Sequence, residues 1–386
     1  MTLSSARIAL VHEWFVDFAG SEKVFDELLG LFPTADVFAV CAAPQGLAQL
    51  KNLNSRVVTT TVIQKVPCFQ KFYKICLPLM PFAIEQLDLT GYDLVISSSH
   101  AVAKGVITSP DTLHVSYVHS PMRYAWDLKA QYLLESNIGW SPLDTLKRWS
   151  LHRLKMWDFV SASGVDIFVS NSDFIGRRIE KCYRRSSTTI YPPVECSKFA
   201  SGKVVRSDFY ICATRLVPYK KVDVVIEAFN RMPERKLIVV GGGPDYGRLA
   251  KLARSNIELL GRVGDSKLID LLQRAKGFVF AAEEDFGILP VEAQAAGTPV
   301  IAYNKGGSRE TVIGDGPHGE RTGVFFEQQS AESIIAGVES FENLVCDFEK
   351  NCRLNASRFS AERFRTNFME FLEGAWRRHA SKHHRE

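Results

Sequence analysis

Two glutamates near a strand-to-helix junction are the residues of this chain best suited to chemistry. Glu284 and Glu292 stand eight positions apart. Residues 278–282 have strand composition and residues 287–296 have the length and composition of a helix. Because eight residues make about two helical turns, both carboxylates can face one ligand. The first amides of a helix also suit a phosphate or a sugar hydroxyl. The pattern predicts a polar-ligand site; an acidic loop before a surface helix is the alternative.

Two basic residues and a histidine follow other predicted strands. Arg215 and Lys220 come after the strand at 208–213, a short turn apart. They can converge on one diphosphate, because the planar guanidinium of Arg215 can bind phosphate through two hydrogen bonds and the Lys220 ammonium group is a compact positive charge. His119 ends the strand at 113–119. The alternatives are a solvated basic loop and a histidine with a structural role.

Alternating strand and helix signals must position these residues. The predicted strands are 7–12, 36–41, 56–62, 93–97, 113–119 and 166–170 in the first half, and 208–213, 236–240, 257–260, 278–282 and 299–303 in the second. This alternation predicts an α/β fold with two doubly wound, mainly parallel sheets. Ligands of such sheets gather at the carboxyl ends of the strands. The prolines of Tyr191-Pro-Pro-Val194 form a stiff link, so we place the domain boundary near Pro193.

The motifs together resemble those of retaining, nucleotide-sugar-dependent glycosyltransferases of family 4. The resemblance rests on Glu-x7-Glu with Phe286-Gly287 inside it, on Val-Ser-Asn-Ser at 169–172 and on the proline link. Residues 117–127, Tyr-x-His-Ser-Pro-Met-Arg-Tyr-x-Trp-Asp, are similar to a bacterial subgroup that includes mannosyltransferases of surface polysaccharide synthesis.

The resemblance implies a GT-B fold, in which two Rossmann-like domains face a central cleft. Residues 1–193 are expected to form the acceptor-binding domain and residues 194–360 the nucleotide-sugar-binding domain. Residues 361–386 are expected to form a helix that crosses back to the first domain, with a frayed tail from Arg377.

The resemblance also implies the roles of single residues. The expected catalytic residues are His119, Glu284, Arg215 and Lys220. The expected donor-binding residues are Gly20, Arg215, Lys220, Gly242, Val263, Glu284, Phe286, Gly287, Ile288, Leu289 and Glu292. The expected acceptor-binding residues are Glu13, Trp14, Arg123, Tyr124 and Trp126. The chain departs from the family pattern at Ala19 and at Lys221, which stand where the family usually has glycine. Which of Lys220 and Lys221 binds phosphate therefore stays open.

The activity implied is retaining transfer of a hexose by front-face displacement. The first choice is mannose from GDP-mannose, moved onto a glycan or undecaprenyl-linked acceptor in the synthesis of O-antigen, capsule or exopolysaccharide. A UDP-hexose donor is the alternative in the same class. A nucleotide-sugar epimerase, a phosphorylase and a noncatalytic scaffold are the alternatives in other classes. We expect no cofactor and no metal, since no acidic pair of the metal-diphosphate kind follows a strand.

Composition narrows the class of protein. The 386 residues carry a net charge of only +4, which gives no reason to expect nucleic-acid binding. The eight cysteines are scattered without a Cys-x2-Cys pair, and no apolar run approaches membrane-span length. We expect a cytoplasmic protein. Two segments rich in basic and aromatic residues, 65–82 and 143–160, could lie on anionic lipid at the cytoplasmic face of the inner membrane. Alternatively, their aromatics enter the core of the first domain.

Overall fold

A computed structural model describes residues 2–135, 138–139, 141–199, 205–315 and 318–383. The chain divides into two compact units. The first contains Met1–Pro192 and Phe364–Glu386, and the second contains Pro193–Arg363. Each unit is built on its own parallel sheet, so the predicted α/β class with two doubly wound domains is confirmed.

The sheet of the first domain has the order β3-β2-β1-β4-β5-β6-β7, and every described strand pair is parallel. Its strands are β1 (Ile8–Phe15), β2 (Asp36–Ala42), β3 (Val58–Thr60), β4 (Leu94–Ser99), β5 (Leu113–Val118), β6 (Ile167–Ser170) and β7 (Ser187–Thr189). The chain runs from β1 toward one edge and resumes at β4 on the other side of β1. This reversal is a switch point, where doubly wound folds bind their ligands.

Helices cover both faces of this sheet. They are α1 (Gly20–Leu31), α2 (Pro44–Leu47), α3 (Phe69–Phe72), α4 (Met80–Glu85), α5 (Lys129–Glu135), α6 (Pro142–Ser161) and α7 (Asp173–Tyr183). Local sequence sets their starts: α6 has Pro142 in its first turn, and the Ser141 hydroxyl accepts a hydrogen bond from the Asp144 amide at 3.2 Å. Strands such as β4 are buried along their whole length, as expected for a parallel sheet covered on both faces.

The second sheet repeats this plan with the order β10-β9-β8-β11-β12-β13. Its strands are β8 (Phe209–Ala213), β9 (Lys236–Val240), β10 (Ile257–Gly261), β11 (Gly277–Phe280), β12 (Val300–Tyr303) and β13 (Gly323–Phe326). Its helices are α8 (Val222–Asn230), α9 (Tyr246–Leu252), α10 (Asp265–Arg274), α11 (Ile288–Ala295), α12 (Ser308–Thr311), α13 (Ala331–Glu342) and α14 (Phe348–Ser357). Here the switch point lies between β8 and β11.

The last helix, α15 (Ala361–His383), contributes to the core of the first domain. Phe364 and Phe368 are buried in the same apolar cluster as Leu10 and Tyr117. The Phe364 ring packs edge-on against the Tyr117 ring at 6.0 Å. The expectation of a frayed tail from Arg377 is wrong over residues 377–383, because the helix continues through them; residues 384–386 lie outside the described part.

Candidate functional site

Two predicted catalytic side chains meet at the switch point of the second domain. Lys220 follows β8 and Glu284 follows β11, and these strands are neighbours in the sheet. The Lys220 ammonium group forms an ion pair with Glu284 Oε1. Their side chains are 12% and 22% exposed, so both are partly shielded from water. Arg215 is exposed on the same loop as Lys220. This edge of the sheet therefore carries cations, which suit a diphosphate, and a carboxylate, which suits a sugar hydroxyl.

Lys221 differs from Lys220 in its geometry. It has a φ of 56° and caps helix α8, so it occupies the left-handed region that favours glycine. Its backbone closes the turn by donating to the Pro218 carbonyl at 3.1 Å. The family's usual glycine at this position is thus explained by conformation, and Lys220 is the lysine that reaches Glu284.

Helix α11 begins at Ile288, directly after Gly287, whose φ of 86° turns the chain into the helix. Phe286 is 3% exposed and its ring packs edge-on against Phe359 at 5.4 Å, so its side chain is buried in the domain. Ile288, Leu289 and Glu292 are half-buried. The donor-binding roles of these residues stay predictions.

The glycine pair Gly306–Gly307 holds the loop that carries Glu284 in place. The Gly307 amide donates to the Glu284 carbonyl at 2.8 Å. A Cβ atom on Gly306 would lie 2.5 Å from that carbonyl oxygen, and one on Gly307 would lie 2.4 Å from the Phe286 Cα. The sequence marks the pair only as a glycine-rich turn after β12. Its role in shaping the Glu284 loop was not predicted.

The glycine run at 241–243 has a structural role that the sequence does not reveal. A Cβ atom on Gly241 would lie 1.8 Å from the Thr214 carbonyl oxygen, and one on Gly243 would lie 2.1 Å from that of Leu216. These glycines allow the loops after β8 and β9 to pack together. Gly242, the predicted donor-binding residue, faces the Arg262 side chain: a Cβ atom placed on Gly242 would lie 2.8 Å from Arg262 Cγ. Val263, half-buried after β10, stays a predicted contact.

In the first domain, His119 lies where β5 ends beside β4. Its Nε2 is 2.8 Å from the Ser98 hydroxyl, and its backbone is held by Ser99 and Asn171. Burial, together with the neighbouring His100 and His12, lowers the pKa of His119 well below its usual value. The imidazole is therefore neutral at physiological pH. Ser98, His12 and Glu22 were not predicted as site residues, although a run of three serines ends β4.

Glu13 requires a correction. The predicted first strand ended at residue 12 and Glu13 was predicted as an acceptor contact, but Glu13 lies inside β1 and is fully buried. Its carboxylate accepts five hydrogen bonds of 2.7 to 3.1 Å, from the Ser99 hydroxyl and from the amides of residues 100–103. Those bonds occupy both oxygens. Glu13 shapes the loop after β4 and is not placed to bind an acceptor.

The other predicted acceptor residues surround that loop. Trp14 packs edge-on against the His100 ring at 4.9 Å. The Trp126 indole donates to Asp158 Oδ2 at 2.7 Å, and Arg123 Nε lies 3.3 Å from the Ser120 hydroxyl. The Tyr124 hydroxyl is buried and has no hydrogen-bond partner among the described residues. Trp126 is therefore partly engaged in packing, whereas Tyr124 keeps an unused polar atom.

Gly20 opens helix α1, and the Glu22 carboxylate accepts from the Ala19 amide at 2.9 Å. This bond orders the turn before the helix although Ala19 replaces a glycine. Over the described ranges, no group of three or more His, Cys, Asp or Glu side chains could hold a metal ion. None of the described helices is long and apolar enough to cross a membrane.

Comparison with known proteins identifies a matching family model and several relatives. Residues 194–359 match the sequence model of the family described as Glycosyl transferases group 1. The chain is 28% identical over 233 residues to a GDP-mannose-dependent alpha-(1-6)-phosphatidylinositol monomannoside mannosyltransferase of Mycobacterium tuberculosis, covering 52% of this chain and 57% of the relative.

A second relative is a GDP-mannose-dependent monoacylated alpha-(1-6)-phosphatidylinositol monomannoside mannosyltransferase of Corynebacterium glutamicum, 29% identical over 205 residues, with coverage of 45% and 52%. The chain thus spans about half the length of the curated relatives it matches. The fold is similar to that of sucrose-phosphate synthase from Thermosynechococcus elongatus, with a TM-score of 0.70 at 17% identity over 96% of this chain and 99% of that one. At that identity the likeness shows the fold alone.

Proposed function

We propose that this protein, whose residues 194–359 match the Glycosyl transferases group 1 model and whose two domains have a GT-B fold, transfers mannose from GDP-mannose to a glycan or lipid-linked acceptor. The observation that carries the proposal is the meeting of Lys220 and Glu284, with Arg215 nearby, at the switch point of the second sheet. The choice of GDP-mannose is supported by the names of the two relatives.

In the proposed reaction, the bond between the mannose anomeric carbon and the diphosphate oxygen breaks, and a bond to the acceptor oxygen forms on the same face. The proton of the acceptor hydroxyl passes to the departing diphosphate. Arg215 and Lys220 stabilise the negative charge that develops on this leaving group. Glu284 accepts hydrogen bonds from sugar hydroxyls, and the amides of 286–289 orient the sugar and phosphate. The anomeric configuration is retained.

His119 belongs to the first domain, which we propose binds the acceptor, and its imidazole is a proposed catalytic group. Trp14, Arg123, Tyr124 and Trp126 are the proposed acceptor contacts, and Gly20 a proposed donor contact through its backbone. The two cationic side chains take the charge-stabilising role that a divalent cation has in other transferases, so the proposal includes no metal and no cofactor. Activity that persists in a chelator is the expected result.

We further propose bacterial surface polysaccharide synthesis as the setting, with an undecaprenyl-linked glycan as acceptor. The support is an apolar and basic surface of the first domain. On α6, Leu146 and Trp149 are both 58% exposed; on the segment 62–82, Ile75 is 73% and Phe82 62% exposed. Lys71, Lys74 and Lys147 are exposed among them. Such a surface is complementary in charge to anionic lipid at the cytoplasmic face of the inner membrane.

The experiment that tests the donor assignment is calorimetry of the purified protein with GDP, UDP and ADP and their sugar conjugates. We expect selective binding of GDP and GDP-mannose, lost in Arg215→Ala and in Lys220→Ala. Lys221→Ala is the matched control, because this neighbouring lysine closes the turn through its backbone. A preference for uridine conjugates would replace mannose by a UDP-hexose within the same reaction. Binding of no nucleotide would sink the proposal.

A second experiment tests turnover. Release of GDP from GDP-mannose, in the presence of lipid-linked saccharides, should be lost in Glu284→Ala while GDP binding is kept. An NMR spectrum of the product should show the same anomeric configuration as the donor. Inversion of that configuration would exclude front-face displacement.

A further inference from the structure

Four side chains form a hydrogen-bonded chain that ends at His119. Glu22 Oε1 lies 3.4 Å from His12 Nε2, His12 Nδ1 lies 3.2 Å from the Ser98 hydroxyl, and that hydroxyl lies 2.8 Å from His119 Nε2. Sheet register produces this alignment: His12 is the direct partner of Ser98 across β1 and β4, and Ser98 is the partner of Tyr117 across β4 and β5. Because side chains alternate along a strand, His119 lies on the same face as Tyr117.

Glu22 is the end of this hydrogen-bonded series that other contacts hold in place. Its other oxygen, Oε2, accepts hydrogen bonds from the Ala19 amide and the Ser21 hydroxyl, both at 2.9 Å. Burial alone would raise the pKa of Glu22, but the hydrogen bond from His12 and the nearby imidazoles lower it to about 2. An ionised carboxylate only accepts hydrogen bonds. His12 must therefore present a protonated Nε2 to Glu22.

The direction of the remaining bonds follows from the number of protons. A neutral imidazole has one N–H, so the Nδ1 of a neutral His12 accepts the proton of the Ser98 hydroxyl. Ser98 has no second proton, and it must accept from the Nε2–H of His119. Neutral His119 then carries a lone pair on Nδ1. A doubly protonated His12 would instead donate to Ser98, whose own proton could then go to His119 Nε2.

We propose that Glu22, His12 and Ser98 are positioning residues that hold His119 in its Nε2–H tautomer, so that Nδ1 accepts a hydrogen bond from a saccharide hydroxyl. This inference rests on the proposed glycosyl transfer for the identity of the ligand. Among the described residues, the hydrogen bonds of His119 involve its Nε2, its amide and its carbonyl oxygen, and none involves Nδ1. An accepting nitrogen selects a hydroxyl, which can donate, over an ether oxygen, which cannot.

The tautomer is measured first, on wild-type protein carrying ¹⁵N-labelled histidine and no ligand. The His119 signals are assigned by their loss in His119→Asn. We expect a neutral ring with a protonated Nε2 and an unprotonated Nδ1. A protonated Nδ1 overturns the proposal. Since this measurement needs no substrate, it is readable even where GDP-mannose is not turned over, and a failure of the proposed function is thereby distinguished from a failure of the tautomer assignment.

The Glu22→Gln variant should have the opposite His119 tautomer. The Ala19 amide and the Ser21 hydroxyl need an acceptor, so the glutamine carbonyl should turn toward them and its amide group toward His12. His12 Nε2 would then accept and its Nδ1–H would donate to Ser98, which frees the Ser98 hydroxyl proton to donate to His119 Nε2. We expect the NMR spectrum to show His119 with a protonated Nδ1. We also expect kcat/KM to fall about tenfold, the effect of one hydrogen bond. An unchanged tautomer overturns the proposal.

Ser97 supplies a matched control for Ser98. It is also buried in β4 and its hydroxyl lies 2.9 Å from the Nε2 of a histidine, His114, but it points to the opposite face of the sheet. We expect Ser98→Ala to lower kcat/KM about tenfold and Ser97→Ala to change it less than about twofold. Equal losses in the two variants would identify a general packing effect and overturn the proposal, as would unchanged kcat/KM in Ser98→Ala.

Discussion

The ammonium group of Lys220 is paired with the carboxylate of Glu284, the two side chains following neighbouring strands of the second sheet. Without a ligand, each charge is compensated by the other. A bound diphosphate would take Lys220 and a bound sugar would take Glu284, so donor binding replaces one ion pair by two contacts with the ligand. This exchange has a measurable consequence.

Glu284→Gln should bind GDP more tightly than wild type while losing turnover. The neutral amide no longer competes with phosphate for Lys220, and we expect a gain in GDP affinity of about threefold to tenfold. Calorimetry with GDP measures it. Glu283→Gln is the control, since the neighbouring carboxylate faces Lys305 at 3.5 Å instead. Weaker GDP binding in Glu284→Gln would mean that this carboxylate does not restrain Lys220.

Lys104→Met should strongly destabilise the first domain. The Lys104 ammonium lies 2.7 Å from Asp158 Oδ1, and both side chains are at most 1% exposed. Removing one partner leaves a buried charge without compensation, which costs about 3 to 5 kcal/mol. The six tryptophans all lie in residues 1–192 or 364–386, so tryptophan fluorescence during urea denaturation follows this domain.

Two comparisons test the cause. Replacing both partners, in Lys104→Met/Asp158→Asn, should recover part of the lost stability, because no charge is then buried and the new amide oxygen can still accept from the Trp126 indole and the Tyr183 hydroxyl. Lys147→Met removes the 3.0 Å pair with Asp144, whose lysine is 48% exposed, and should cost about 1 kcal/mol or less. A similar loss in Lys104→Met and Lys147→Met would contradict a role for burial.

Glu22 should make the stability of the first domain sensitive to acid. Although burial opposes ionisation, its hydrogen bond with His12 lowers its folded-state pKa from 4.5 to about 2. A lowered pKa stabilises the fold above pH 4.5, and this contribution is lost as the pH falls toward about 2. The full contribution is on the order of 3 kcal/mol.

Denaturation followed by tryptophan fluorescence at several pH values measures this effect. The stability difference between wild type and Glu22→Gln should shrink between pH 4.5 and pH 2. A difference that stays constant over that range would show that Glu22 does not titrate with folding.

The apolar and basic surface of the first domain should bind anionic vesicles. Sedimentation with phosphatidylglycerol-containing vesicles should recover the wild-type protein, and Trp149→Glu should weaken this binding by at least about tenfold through lost apolar contact and charge repulsion. Val345→Glu, at a residue that is 96% exposed in the second domain, is the matched control. Equal binding to neutral and anionic vesicles would contradict the assigned role of the lysines.

Local sequence patterns predicted the two sheets well because parallel strands are short apolar runs between helices. Residues 236–240 were predicted as a strand and form β9. β7 was missed because Ser187–Thr189 is polar, and β13 because Gly323–Phe326 is short and follows a glycine-rich turn. Sequence proximity could not reveal the setting of Glu13, whose bonding partners lie 86 to 90 positions away.

The residues of the candidate site also divide into those that the sequence reveals and those that it does not. Lys220 and Glu284 could be singled out from their residue types and positions after strands, and the fold brings them together across 64 positions. The alignment of His12, Ser98 and His119 depends on strand register, which no local pattern encodes. Their contribution could not be predicted before the sheet order was known.

Helix α15 gives the first domain an unusual order of assembly. Phe364, Phe368 and Leu372 belong to its buried core, yet the ribosome makes them after the whole of Pro193–Arg363. The domain that starts translation is therefore the last to have all of its core residues, whereas the second domain has its complete chain earlier. A nascent chain stalled near residue 363 would display an unfilled apolar surface on the first domain, which a chaperone could recognise.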